Sequence, residues 1–270
     1  QPLIMAEVFG KVCTLLLGVV FCKSIVLTKP VARKDALREA WDNICIGIKL
    51  MFANIASMLI LGIVRVSIEN KWDIEVYAKV SLAISISNLL LVFINAVGVV
   101  MFPMLKRVDE KKFSYLYARI RDALMIVLFA LLLCYYPVQW ILSKWLPAYL
   151  ESFKYMSILF PMCIFESKMA LLVNTYMKAM RKEKQLMLAN VMTVGLSLLL
   201  SLIGVYWIGS IELTMVFIVV LFAVRCLLCE QMLSRVLNIN FWKDAAVELF
   251  MCVVFMATST LLGPGISIPV

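Results

Sequence analysis

Long apolar runs separated by short gaps, alternately rich and poor in positive charge, constrain this chain more than any motif it carries. Eight segments qualify: roughly 5–28, 44–65, 76–105, 122–143, 153–177, 185–208, 211–234 and 245–263. Each supplies the ~20 predominantly apolar residues that a helix needs to cross a hydrocarbon layer ~30 Å thick. A water-soluble fold of this length could not hide so much apolar surface. Hydrophobic residues make up 64% of the 270 and charged residues only 16%, with a mean hydropathy of +0.98. No alternating pattern marks barrel strands. The expected fold is all-α, a polytopic transmembrane helix bundle of about eight spans.

Lysine and arginine fall in a rhythm that fits this count. The gaps 23–43, 106–121, 178–184 and 235–243 together hold 17 of them, and the three intervening gaps hold 4. Basic loops stay on the cytoplasmic side. The loops 29–43, 106–121, 178–184 and 235–243 are therefore expected in the cytoplasm of a multi-pass protein. Pro103, near the end of the run that closes in LKRVDEKK, is expected to kink its helix close to that anchor. The chain begins at Gln1 without a methionine and ends in GPGISIPV just after an apolar run, so it reads as a fragment.

Several function classes lose support. The net charge of +9 sits in the gaps rather than on a basic helix with interleaved aromatics, so nucleic acid is not an expected partner. The eight cysteines (13, 22, 45, 134, 163, 226, 229 and 252) lie in or beside apolar runs, where thiols pack as small hydrophobes. Cys226 and Cys229 have CxxC spacing, but there is no second pair and no histidine, so no metal site is expected. No nucleotide-binding loop, HExxH or GxSxG occurs, and no gap is long enough for an external catalytic loop. The chain is not expected to be an enzyme or to hold a cofactor.

Polar residues inside the apolar runs are the candidate site. At about 100° per residue, Tyr77, Ser81, Ser85, Asn88 and Asn95 fall within an arc of about 80°. Such a stripe either hydrogen-bonds to other helices or walls a water-filled cavity. Asn54, Ser57 and Arg65 lie near one face of 44–65, with Lys49 nearly opposite and able to snorkel. Glu166, Lys168 and Asn174 lie in 153–177, and Arg225 and Glu230 in 211–234. Glu166 and Lys168 point to different sides of their helix and do not pair with each other, and the same holds for Arg225 and Glu230. A mid-helix charge costs ~2.5–3.5 kcal/mol on insertion scales, so these groups face the protein interior. They form either a cationic interior for an anionic substrate or ion pairs between helices. Glu7 and Lys11, four apart, are set to pair along the first run.

The order of certain segments resembles a known family. VYAKVSLAIS opens a long run closing in FPMLKR, and WLPAYLESFKYMSILFP follows the next run. NTYMKAMRKEKQLMLANVMTVGLSLLL and IGVYWIG come after it. Over roughly 39–235 the chain resembles the polysaccharide (O-antigen or capsule repeat-unit) flippases of the multidrug/oligosaccharidyl-lipid/polysaccharide exporter superfamily. EVYAKVS lacks the usual glycine before the tyrosine, and GVYWIGSIELT lacks a small-residue-rich turn.

The resemblance implies a second six-helix lobe over 44–235. Residues 1–28 would be the last helix of a first lobe, 29–43 a cytoplasmic linker and 236–270 the start of additional helices. It implies a bacterial inner-membrane transporter moving undecaprenyl-diphosphate-linked oligosaccharide for O-antigen, lipopolysaccharide or capsule assembly. Other polysaccharide-assembly proteins would be partners, and a Na+ or H+ gradient would drive it. On this reading Arg65, Ser81, Ser85, Asn88, Asn95, Lys168, Asn174 and Arg225 are substrate-cavity candidates. Glu166 and Glu230 are coupling-ion candidates. A multidrug or lipid II exporter, or a membrane-embedded glycan polymerase or ligase, is the alternative.

Overall fold

A computed structural model describes residues 2–21, 33–109, 112–145 and 150–261. Cys22, parts of the loops 29–43 and 106–121, and the end of the segment 245–263 lie outside the described residues. Every regular element is helical, and no strand occurs among the described residues. Helices suit such a chain because each backbone N–H finds its acceptor within the same segment, which a hydrocarbon environment demands.

The chain packs as two compact units, Gln1–Gly47 and Ile48–Val270. The first contains α1 (Pro2–Phe21) and the start of α2 (Arg33–Lys71). Its apolar side chains, such as Val8, Phe9, Leu15 and Leu16, are mostly exposed. Lys11 meets Glu7 at 2.8 Å, the pairing expected from their spacing.

The second unit begins within α2 and continues through α3 (Ile74–Lys106), α4 (Phe113–Leu133), α5 (Tyr135–Trp145) and α6 (Leu150–Leu159). Next come α7 (Met162–Lys168), a π-helical stretch (Met169–Val173) and α8 (Asn174–Ala179). Then follow α9 (Glu183–Ser201), a second π-helical stretch (Leu202–Ile208), α10 (Ile211–Leu237) and α11 (Trp242–Leu261). Among the described residues, four stretches, not the expected eight, are long and apolar enough to cross a membrane: Ala36–Lys71, Phe113–Trp145, Glu183–Ile208 and Ile211–Leu237. The bent pair Ser152–Leu159 and Met162–Ala179 makes a fifth if it is one span.

That pair departs from the straight helix expected over 153–177. The axis turns by 42° at its break. Pro161 sits in the break, with no N–H to continue the ladder and a ring that crowds the preceding turn. Pro103, by contrast, lies inside α3, which runs through it to Lys106.

Helix ends follow local chemistry. Gly209, at φ +70°, ends the second π stretch in a left-handed turn that a side chain would strain. Ser210 then caps α10 by accepting from the Leu213 N–H at 3.4 Å. Asn238, at φ +52°, closes α10 in the same left-handed conformation.

The core lies among α3, α4, α6, α7, α8 and α10. Phe160, Phe165, Tyr176, Leu128 and Phe222 are almost fully buried there. Tyr135, Phe160 and Phe255 meet edge-on or stacked, with centroids 5.4 to 6.2 Å apart. Small residues allow close approach. A Cβ on Gly98 would come 3.8 Å from the Ala170 carbonyl oxygen, so α3 runs close to the first π stretch. Apolar side chains such as Ile126, Leu199 and Val253 point outward, as a lipid-facing surface requires.

Candidate functional site

Lys168 is the last residue of α7, and its side chain is 0% exposed. Its ammonium meets Glu230 Oε2 of α10 at 2.7 Å. It also meets Glu248 Oε1 and Oε2 of α11 at 2.6 and 2.8 Å. Tyr117 of α4 donates its hydroxyl to Glu230 Oε1 at 2.9 Å. Three ammonium protons and one hydroxyl proton thus meet four carboxylate oxygens, and every lone donor has an acceptor. The two carboxylates are 1% and 3% exposed. Four helices converge on this cluster.

Arg225, five residues before Glu230 on α10, organises a second cluster. Its guanidinium donates from Nε to Asn190 Oδ1 at 2.9 Å and from one terminal nitrogen to Ser57 Oγ at 2.8 Å. The other terminal nitrogen reaches Glu166 Oε2 at 3.1 Å. Asn190 passes the contact on, donating to the Ala53 carbonyl at 2.8 Å. A planar fork can reach three helices in fixed directions, which a lysine cannot. Ser197 of α9 adds a bond to the Ile60 carbonyl at 2.9 Å, so α9 is laced to α2 at two levels.

A third charged contact lies nearer the helix ends. Arg121, one turn beyond Tyr117 on α4, approaches Asp244 of α11 at 2.7 Å and Asp122 at 3.2 Å. The closer of these is an ion contact without directed N–H···O geometry.

The residues singled out by sequence therefore divide. Glu166 and Lys168 do not pair with each other, nor do Arg225 and Glu230; each finds a partner on another helix. Lys168, Arg225, Glu166 and Glu230 are joined in ion pairs between helices, one of the two arrangements open from sequence. Ser81, Ser85, Asn88 and Asn95 stand apart from these clusters. Ser85 and Asn95 are exposed, while Tyr77, Ser81 and Asn88 are half-buried. Ser85 bonds back to the Ser81 carbonyl at 2.7 Å, and Ser81 Oγ is buried with no partner. Arg65 and Asn174 are half-buried and each keeps one unpartnered buried atom, Nε and Oδ1 respectively. Asn54 is exposed, although Ser57 is taken up by Arg225.

Glu248, Asn190 and Tyr117 were not singled out by the sequence reading. Glu248 interrupts an apolar run just as Glu166 does, and its distance from the basic gap 235–243 gives the same signal. Asn190 likewise stands alone in LANVMTVG.

Cys226 and Cys229 are buried free thiols on one turn of α10. Among the described residues no group of three His, Cys, Asp or Glu side chains could hold a metal ion. No protein-family model matches this chain, and neither does a curated protein or a solved structure.

Proposed function

We propose that this chain is part of a bacterial inner-membrane transporter that flips lipid-linked oligosaccharide, carried on undecaprenyl diphosphate, from the cytoplasmic to the periplasmic leaflet. Eight spans, with the basic loops inside, would carry it. The observation that most supports the reading is the α3 stripe. Ser85 and Asn95 are exposed, and Ser81 and Asn88 half-buried, alongside exposed apolar side chains such as Leu89, Val92 and Val100 on the same helix. Exposed amides in hydrocarbon are costly unless they meet water or a polar cargo.

Arg65 supplies the charge such a cargo requires. Its position is about 10 Å before the end of α2, and Ser81 is about as deep in α3 from the same turn. A guanidinium with an unpartnered Nε suits a pyrophosphate, which it can grip through paired N–H donors. Lys168 and Arg225 contribute differently: their partners hold the helices that present the stripe.

The test uses the intact transporter in a host lacking its own copy. Arg65→Ala, Asn88→Ala and Asn95→Ala are expected to cut surface glycan at least tenfold while membrane levels of the protein stay constant. Full glycan display in all three variants would overturn the proposal. Protection against toxic organic cations, lost in the same variants, would point instead to a drug exporter.

A further inference from the structure

We infer that a single water molecule binds in the seam between α2, α9 and α10, held by the hydroxyls of Ser201, Ser197 and Thr214. The helices α2 and α9 keep one register along this seam. Asn190 donates to the Ala53 carbonyl and Ser197 to the Ile60 carbonyl, and each pair is 137 residues apart. Donors and acceptors both advance by two helical turns, so the two helices run in the same direction and stay in step. Ser201, one turn further along α9, stands at the same offset from Val64. A third bond of the same kind belongs there, and it is missing. Ser201 is 3% exposed, and its Oγ has no partner.

The gap is one of space. Ser201, Val64, Ser197 and Thr214 line a cavity that leaves about 10 Å³ for the centre of a water molecule, enough for one. Leu200 and Phe217, both half-buried, are apolar walls of the same cavity. A wholly apolar void of this size stays empty, but this one has three hydroxyls. Ser197 and Thr214 commit their protons to the Ile60 and Ser210 carbonyls, at 2.9 and 2.8 Å, and keep lone pairs to accept with. Ser201 has a proton to give.

A water that receives this proton and donates its own two to Ser197 and Thr214 makes three hydrogen bonds, the usual number for a buried water. The orphaned hydroxyl is then satisfied, where leaving it unmet in an apolar interior is costly. Among the described residues lining the cavity none is charged, so a neutral ligand fits and an ion finds no counter-charge. The water ties the turn of α2 that carries Arg65, the residue after Val64, to α9 and α10. Its binding does not rest on the transport reading.

The test is solid-state NMR of the full chain in lipid nanodiscs, with serine carbon-13 labelled and magnetisation passed from water to the side chains. The Ser201 Cβ signal is assigned by its loss in Ser201→Ala or Ser201→Thr. It is expected to gain intensity from water several-fold faster than the signal of Ser87. Ser87 is the dry control, fully buried with its hydroxyl turned onto the Ala83 carbonyl at 3.0 Å. Thr214→Val keeps the shape of the site and removes one partner, so transfer to Ser201 should fall to near the Ser87 rate. Thermal unfolding gives an independent reading. Ser201→Ala should lower the midpoint by depriving the water of its donor, whereas removing a dry, unmet hydroxyl would raise it. Transfer at Ser201 as slow as at Ser87 overturns the inference with no variant needed. So does transfer that Thr214→Val leaves unchanged, or a midpoint that Ser201→Ala raises.

Discussion

Arg225 and Lys168 show how much a buried cation depends on what faces it. Arg225 makes directed bonds to Asn190, Ser57 and Glu166. A lysine there keeps the charge but can satisfy only part of that set. With bonds to charged groups worth roughly 1.5–3 kcal/mol each, Arg225→Lys is expected to cost about 3 kcal/mol. Thermal unfolding of the solubilised chain checks it, and an unchanged midpoint would show that the fork is not structural. Lys168→Met leaves two carboxylates in a dry cluster, and breaking such a pair costs ~3–5 kcal/mol. The variant should lose folded protein rather than only activity. Sequence made the cations legible because a charge within an apolar run announces itself. It could not supply their partners, since Lys168 and Glu248 are 80 residues apart and only packing joins them.

At the scale of single helices, apolar length was readable and irregular geometry was not. Each of the eight apolar segments falls largely on helix, because hydropathy over some 20 residues tracks a helix directly. The π stretches at Met169–Val173 and Leu202–Ile208 carry no such signature. The first begins right after Lys168 and precedes Asn174, so the wider turn changes which faces those residues present. Pro161 was visible in sequence, yet its bend was not anticipated, because prolines are tolerated inside membrane helices when neighbours satisfy the freed carbonyls.

Two glycines test the packing between elements. A Cβ on Gly204 would lie 3.0 Å from Thr214 Oγ1 and 3.1 Å from a Phe217 ring carbon. Gly204→Ala is expected to cost about 1–3 kcal/mol through overpacking of the second π stretch against α10. Gly195 has nothing within 4 Å, so Gly195→Ala should be neutral or raise stability by about 0.5–1 kcal/mol. Equal midpoints for the two variants would mean that this close approach does not exist in solution.

For the molecule as a whole, the basic rhythm predicts which loops face the cytoplasm. Reporter fusions in a bacterial host check the orientation. Fusions after positions 112, 182 and 240 should report cytoplasm, and those after 70 and 209 the opposite side; any reversal within the series breaks the eight-span reading. The inward-facing clusters take up Lys168, Arg225, Glu166, Glu230 and Glu248, and the account stands on the α3 stripe being wet. The most direct measurement is labelling by a membrane-impermeant maleimide of single cysteines at 81, 85, 88 and 95, in an intact transporter freed of its native cysteines. Cysteines at 97 and 100, exposed on α3 but outside the arc of the stripe, serve as lipid-facing controls. The account predicts rapid labelling at the four stripe positions, slowed by lipid-linked oligosaccharide, and little at the controls. Stripe positions as unreactive as 97 and 100 would contradict it.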